Sequence, residues 1–258
     1  MKKILSLLMV ILIVLPFMAW SQTNEPENKG DRGNQFNERG LKDGFWNERK
    51  GELTTRGSYV DGVKDGTWET YLTDDQVIRV ETFKNGKLDG IVLQFDRMGK
   101  VSNVEHYQDN KLHGLVFDYS PLSSKLIKRQ EYDQGMLTGL YRSFYDDGKI
   151  QEEAYYRENL KSGPSKWFNR EGRLVAIYNY HFGTFEGTQR TFYENDTIAT
   201  VVKYLNNKQE GEYKEFYRNG KLKLTGTYAD GIKEGKWTDY DETGKAVKTT
   251  KFKNGEAK

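Results

Sequence analysis

Glycine recurs through this chain at nearly fixed intervals: Gly44, Gly66, Gly90, Gly114, Gly139, Gly163, Gly187, Gly211 and Gly235. Subtracting neighbouring positions gives steps of 22, 24, 24, 25, 24, 24, 24 and 24. Such regularity means one supersecondary unit copied about nine times, and repetition at this period constrains the fold more than any local propensity. A unit this small cannot bury an apolar face alone, so the copies must stack on one another.

The copy that starts at Gly211 shows the internal logic. Glu212-Tyr213-Lys214-Glu215-Phe216-Tyr217 leads into Arg218-Asn219-Gly220, and a second run, Lys221 to Tyr228, ends at Ala229-Asp230-Gly231. Asn-Gly and Asp-Gly between short aromatic or β-branched runs are the strongest local hairpin signal, because type I′ turns need positive φ at both central residues. No segment after Ser21 keeps an apolar helical period over a helix length. The expectation is therefore all-β: an elongated single-sheet array of about nine two-stranded hairpins.

Other copies fill the same slots. Five residues past the anchor glycine stand Tyr71, Phe95, Tyr119, Phe144, Phe168, Phe192, Phe216 and Tyr240, with Arg49 the exception. Two residues past it come Trp46, Trp68, Val92, Val116, Tyr141, Tyr213 and Trp237, while Ser165 and Gln189 break the slot. The second strand carries its own ring in every copy, from Tyr59 and Phe83 to Tyr228 and Phe252. Offsets of two and five differ by an odd number, so a flat strand would point those side chains to opposite faces. Either a bulge at the anchor glycine or a sheet that buries both faces reconciles them.

The pattern Asp/Glu-Gly-x-Trp/Tyr-x-x-Phe/Tyr, seen in Asp65-Gly66-Thr67-Trp68-Glu69-Thr70-Tyr71 and Glu234-Gly235-Lys236-Trp237-Thr238-Asp239-Tyr240, resembles the MORN repeat family, in its bacterial variant. The resemblance covers residues 36–258 and implies a string of β-hairpins in one grooved, extended sheet. Similar proteins are often labelled antitoxin components of toxin–antitoxin systems. Two copies depart from the pattern: the fourth carries the longer turn Ser120-Pro121-Leu122-Ser123-Ser124, and the sixth opens Gly163-Pro164-Ser165.

The segment from Met1 to Ser21 is a separate piece. Met1-Lys2-Lys3 precedes an apolar run from Ile4, then Pro16 and Ala19-Trp20-Ser21, which reads as a secretory signal cleaved before Gln22. The competing reading is an uncleaved anchor at the lower length limit of a spanning helix. Residues 22–35 hold no large apolar side chain and read as a disordered linker. Phe36 to Leu41 mimics the second half of a copy and is expected to cover the first hairpin as an end unit. The domain division is thus 1–21, 22–35 and 36–258. The chain has no Cys, which removes disulfides, thiol nucleophiles and a lipidated cysteine.

Charge and chemistry narrow the function. Lys2 and Lys3 are the only charges between Met1 and Ser21, leaving 38 basic and 38 acidic groups of the chain's 40 and 38. That balance argues against nucleic acid and against a stable hold on an anionic membrane. The histidines His106, His113 and His181 all sit in repeat slots, without the convergent ligand spacing of a metal site. Acids recur before the anchor glycine, as in Asp65, Asp89, Glu186, Glu210 and Glu234, and read as residues capping their own turns. No catalytic, cofactor or metal site is expected, and the ligand-binding residues are left unassigned. Positions freed from the repeat, namely Ser165, Gln189 and Ser120–Ser124, are the places expected to serve a partner.

The expected function is an exported, periplasmic or secreted, non-catalytic module that binds or scaffolds a protein and can self-associate edge to edge. The alternatives are an antitoxin- or immunity-like inhibitor and a carbohydrate-binding or envelope-polysaccharide-active protein. Small-angle scattering tests the architecture. Eighteen strands at ~4.8 Å spacing give an array of about 85 Å and a radius of gyration of about 26 Å, against about 18 Å for a compact globule of this length. A value under about 20 Å contradicts the open array.

Overall fold

The computed structural model describes residues 33–72 and 76–258. The signal segment expected over 1–21 and the linker up to residue 32 lie outside the described residues. The described residues contain no helix, and their 22 strands form one antiparallel sheet. Full-length strands pair only with their chain neighbours, from Lys42–Lys50 with Leu53–Val60 through to Ile232–Tyr240 with Ala246–Lys253. Two strands are interrupted, at His113 and at Glu186, and short pieces flank each end, so the 22 resolve into the expected nine hairpins. In each hairpin we call the strand holding the anchor glycine the anchor strand and the other the return strand.

The anchor glycine makes a bulge. All nine have positive φ, from +63° at Gly139 to +130° at Gly90, a region that costs L-residues with a Cβ. Against the preceding return strand the register slips there by two residues: Arg56 faces Glu69 but Ser58 faces Asp65, and Val202 faces Tyr213 but Tyr204 faces Gln209. A second slip lies before the ring five residues past the anchor, as between Thr70 and Tyr71. The slots two and five past the anchor thus lie on opposite faces, as parity requires: Tyr71 packs under Arg56 and bonds Glu69 on the face opposite Trp68, and both faces bury side chains.

The bulge exposes backbone that side chains then satisfy. Trp68 and Trp237 donate their indole N–H to the carbonyls of Ser58 and Thr227, at 3.1 and 3.2 Å. On the other face Thr82 donates to the Ile91 carbonyl at 3.0 Å, and His106 Nδ1 lies 2.6 Å from the Leu115 carbonyl. Bulge geometry and its satisfying donors recur together along the sheet.

Turns lock each hairpin to the one before. The nine two-residue turns have φ of 44–52° at the first residue and 66–86° at the second, the type I′ geometry that matches strand twist. Their second N–H bonds a carbonyl of the preceding anchor strand, as Gly86 to Lys64 and Gly231 to Gln209. The acids before the anchor glycine do not cap their own turns, contrary to the expectation. Asp65, Glu210 and Glu234 accept instead from the turn N–H of Asn85, Asp230 and Asn254, 20 residues on, at 3.1, 2.8 and 2.9 Å. At the other ends of the hairpins five-residue loops close on themselves: Asp96 Oδ1 accepts from Met98 and Lys100 at 2.8 and 2.9 Å. Where that loop starts with Tyr145, Tyr193 or Tyr217, the hydroxyl crosses to the carbonyl of Phe168, Phe216 or Tyr240 in the next copy.

Packing on one face follows a volume rule. The side chain two residues past the anchor and the return-strand residue two before its ring share one space. Gly57 and Gly226 accommodate Trp68 and Trp237, whereas Glu81 meets Val92 and Ala154 meets Ser165. Trp68 and Trp237 are 1% and 2% exposed. Rings pack edge to face along this side, Trp46 on Tyr59 at 5.8 Å and Tyr59 on Trp68 at 4.9 Å, with the same order through Tyr228 and Trp237. Phe36 extends the row onto Trp46 at 5.1 Å, as an end unit should. Gln35, assigned to the linker by its composition, already pairs with Asp43, and the Trp46 indole holds its carbonyl.

The volume rule gives a prediction. A Cβ on Gly57 or Gly226 would stand 2.3 or 2.1 Å from the indole, so Gly226→Ala should cost at least about 1–3 kcal/mol by overpacking. Thr250, the same slot one copy later, has no following ring, and Thr250→Ala should cost far less. Thermal melts of the two variants check this, and equal melts contradict the rule.

Candidate functional site

The sheet offers two faces and no enclosed active site among the described residues. No cluster of three or more His, Asp or Glu side chains is placed there to hold a metal. The surface depressions are shallow and polar, one lined by Tyr193, Tyr217, Arg218, Asn219, Lys223 and Glu242 at the five-residue-loop edge. Candidate chemistry must therefore be sought along the faces themselves.

The ring face is internally committed. Besides the aromatic row it carries lysines two residues before the anchor: Lys64 Nζ lies 4.1 Å from the Trp68 ring centroid, and Lys233 lies 4.1 Å from that of Trp237. In the sixth copy Ser165 replaces the ring and sits 1% exposed. Its hydroxyl donates to Glu152 Oε1 at 2.8 Å, and Lys161 pairs with the same oxygen. Glu152 Oε1 is thus held by a lysine and a serine, an ion pair built into the packing of the ring face.

The positions expected to be free for a partner turn out to be structural. Gln189, 3% exposed, clamps both backbone groups of Asn179: its Oε1 accepts the N–H at 2.5 Å and its Nε2 donates to the carbonyl at 3.0 Å. It thus replaces the indole donor of Trp68 and Trp237. Ser120 is 7% exposed and accepts from the N–H groups of Leu122 and Ser123, closing the longer loop. Leu122, 91% exposed, stands out at the tip of that loop. Of the histidines, His106 bonds a bulge carbonyl, His113 meets Asp133 at 3.1 Å across neighbouring copies, and His181 packs edge-on against Phe182. The structure brings none of them together.

The opposite face carries what the linear sequence hides. One unbroken row of cross-strand neighbours runs along it: Arg56, Glu69, Val80, Leu93, Val104, Phe117, then Arg129. From there it continues through Arg142, Glu153, Lys166, Ile177, Arg190, Val201 and Lys214 to Thr225, Thr238 and Thr249. The copies do not repeat in this row. Its first third is largely apolar, its middle cationic, its end a threonine ladder. Charges that look evenly interspersed along the chain are sorted by the pleat, since alternate residues face opposite ways. The signal was present in the sequence at the third residue past each anchor, but only the register shows which return-strand residue stands between successive copies.

Burial also perturbs the ring hydroxyls. Tyr156 and Tyr213 are pushed up to about 12, first by burial and then by the charges of Glu152 and Glu215 respectively. Tyr71, on the opposite face, is raised to about 12 by burial and by its bond to Glu69. A folded-state pKa above the unfolded value favours the protonated phenol, so this stability is complete below about pH 10 and is lost as pH rises toward about 12. The melting temperature should fall steeply across that window. The Tyr156→Phe and Tyr213→Phe pair should flatten the fall, as melts at stepped alkaline pH would reveal, and an unchanged slope refutes the assignment.

Comparison with known proteins agrees with this hairpin unit. No curated protein matches the chain. The family described as MORN repeat variant matches residues 137–158, 209–230 and 233–254. Each matched stretch begins two residues before an anchor glycine (Gly139, Gly211, Gly235) and ends on the first residue of a type I′ turn (Glu158, Asp230, Asn254), so one match is one hairpin plus its closing turn. The match is to the repeat alone and carries no toxin–antitoxin pairing. Three copies of this chain thus match the MORN repeat variant by sequence, and the same hairpin geometry runs through the other six.

Proposed function

We propose that this chain is an exported, non-catalytic binding array of the cell envelope and that its partner is a protein. The observation that carries the reading is the division of labour between slots. Ring positions, bulges and turns repeat and are consumed by the fold, whereas the row from Val80 to Lys214 changes character from copy to copy. Extended sheets of stacked units suit long, composite contacts, and interfaces concentrate their energy in a few aromatic and arginine anchors. A glycosidase-like activity would need two carboxylates facing one gap, and Glu152, the buried acid, is taken up by Lys161 and Ser165.

The test is a pull-down from an envelope fraction with the processed protein. Its mass should start at Gln22, and a protein partner should be retained in stoichiometric amount. Binding should survive His113→Ala and His181→Ala, which lie outside the row. Turnover of peptidoglycan or an envelope polysaccharide, abolished by a single acidic substitution, would overturn the reading. So would retention of Met1 in the membrane fraction, for the export part.

A further inference from the structure

Resting on the binding-array reading, we infer that the face opposite Trp68 and Trp237 docks an acidic, partly apolar segment of a partner protein, laid along the array across the strands. Charge is the first argument. In the C-terminal part of this face Arg129, Arg142, Lys166, Arg190, Lys203 and Lys214 stand among Glu131, Glu153 and Glu212, although the chain as a whole is close to neutral. Glu153 is already shared between Arg142 at 2.7 Å and Lys166 at 3.6 Å, and Glu212 is taken by Lys214 at 2.8 Å. Arg190 and Lys203 have no ion-pair partner among the described residues. They stand on neighbouring strands around Val201, which pairs directly with both Arg190 and Lys214.

Adjacency to an apolar stretch is the second argument. Val104 and Phe117 stand in the same row immediately before Arg129. In the next row on this face, residues one past the anchor and one before the ring, come Ile91, Leu115 and Leu140, with Tyr155 paired to Leu140 and 45% exposed. Going from Val104 toward Lys214, a docked segment therefore meets apolar side chains first and cations after. A complementary occupant carries apolar residues at one end and carboxylates at the other.

The same charges speak against a second copy of this chain as occupant. Two such faces placed together would set cation against cation, and like-charge contacts at an interface are unfavourable. Nucleic acid would find only one of the face's two halves complementary, since the row from Val80 to Phe117 offers no charge to phosphates. A protein segment uses both.

The probe is a short labelled peptide that begins with alternating leucine and serine and continues with alternating glutamate and serine. A lysine-for-glutamate peptide and phosphatidylglycerol vesicles serve as comparisons, all against the full processed protein. The acidic peptide should bind, more weakly at higher salt as exposed charge pairs require. Arg190→Glu with Lys203→Glu should reduce binding by about tenfold or more, with an unchanged melting temperature. Lys87→Glu, a charge change at the turn edge, should leave binding as it is. Equal binding by the Arg190→Glu/Lys203→Glu variant overturns the inference, as does tighter binding of the lysine peptide. Binding of vesicles without binding of the peptide overturns it as well. If a partner found by pull-down binds that variant as well as it binds the parent, this face is excluded while the binding-array reading stands.

Discussion

At each anchor glycine the chain enters a left-handed backbone conformation, from Gly66 onward it also gains two residues on its neighbour there, and most other features of the sheet answer to that event. The extra residues lift one side chain into the space over the preceding return strand. They also leave carbonyls without a ladder partner. Buried backbone groups must find partners or cost about 1–3 kcal/mol each, and side chains of several kinds repair them. Trp68 and Trp237 do it with an indole, Gln189 with an amide, Thr82 with a hydroxyl and His106 with an imidazole. Chemically dissimilar side chains thus occupy equivalent duties, which explains how the repeat tolerates so much substitution without losing its geometry.

A single layer has little interior, so stability is assembled from neighbours rather than from a common core. Buried apolar side chains are few and scattered along the array, from Trp46 and Trp68 through Val92 and Val116 to Trp237. Rings gather in three clusters of four: Phe36, Trp46, Tyr59 and Trp68 near one end, Tyr178, Tyr180, Phe185 and Tyr204 in the interior, and Tyr213, Tyr228, Trp237 and Phe252 near the other end. End copies have one neighbour instead of two, and larger rings with lysines laid over them supply contact that the missing neighbour does not.

The fold was legible in the sequence because its causes are local: glycine spacing, turn dipeptides and alternating rings each dictate their own few residues. The face assignment was legible only up to two alternatives, and the structure takes the one in which both faces bury side chains, with Trp68 on one and Tyr71 on the other. What escaped was anything depending on register. Asp65 and Glu210 looked like self-capping turn residues, yet their acceptors serve turns 20 residues away. Ser165 and Gln189 looked released from the repeat, yet each is pinned by a partner on a neighbouring strand, Glu152 and Asn179. The cationic row escaped for the same reason, since its members lie on separate strands and become neighbours only through pairing.

The shared space between Gly57 and Trp68, and between Gly226 and Trp237, has a consequence for how such an array can change length. Each complementary pair straddles the junction between two copies, so the piece that can be duplicated or lost without damage is not the hairpin from one anchor glycine to the next. Excising residues 67–90 would set Gly57 beside Ile91-Val92 and leave a hole where the indole had been. A cut placed after Trp68 keeps the pair together. The tryptophan-bearing copies are therefore inherited as linked halves, each indole together with the glycine that makes room for it.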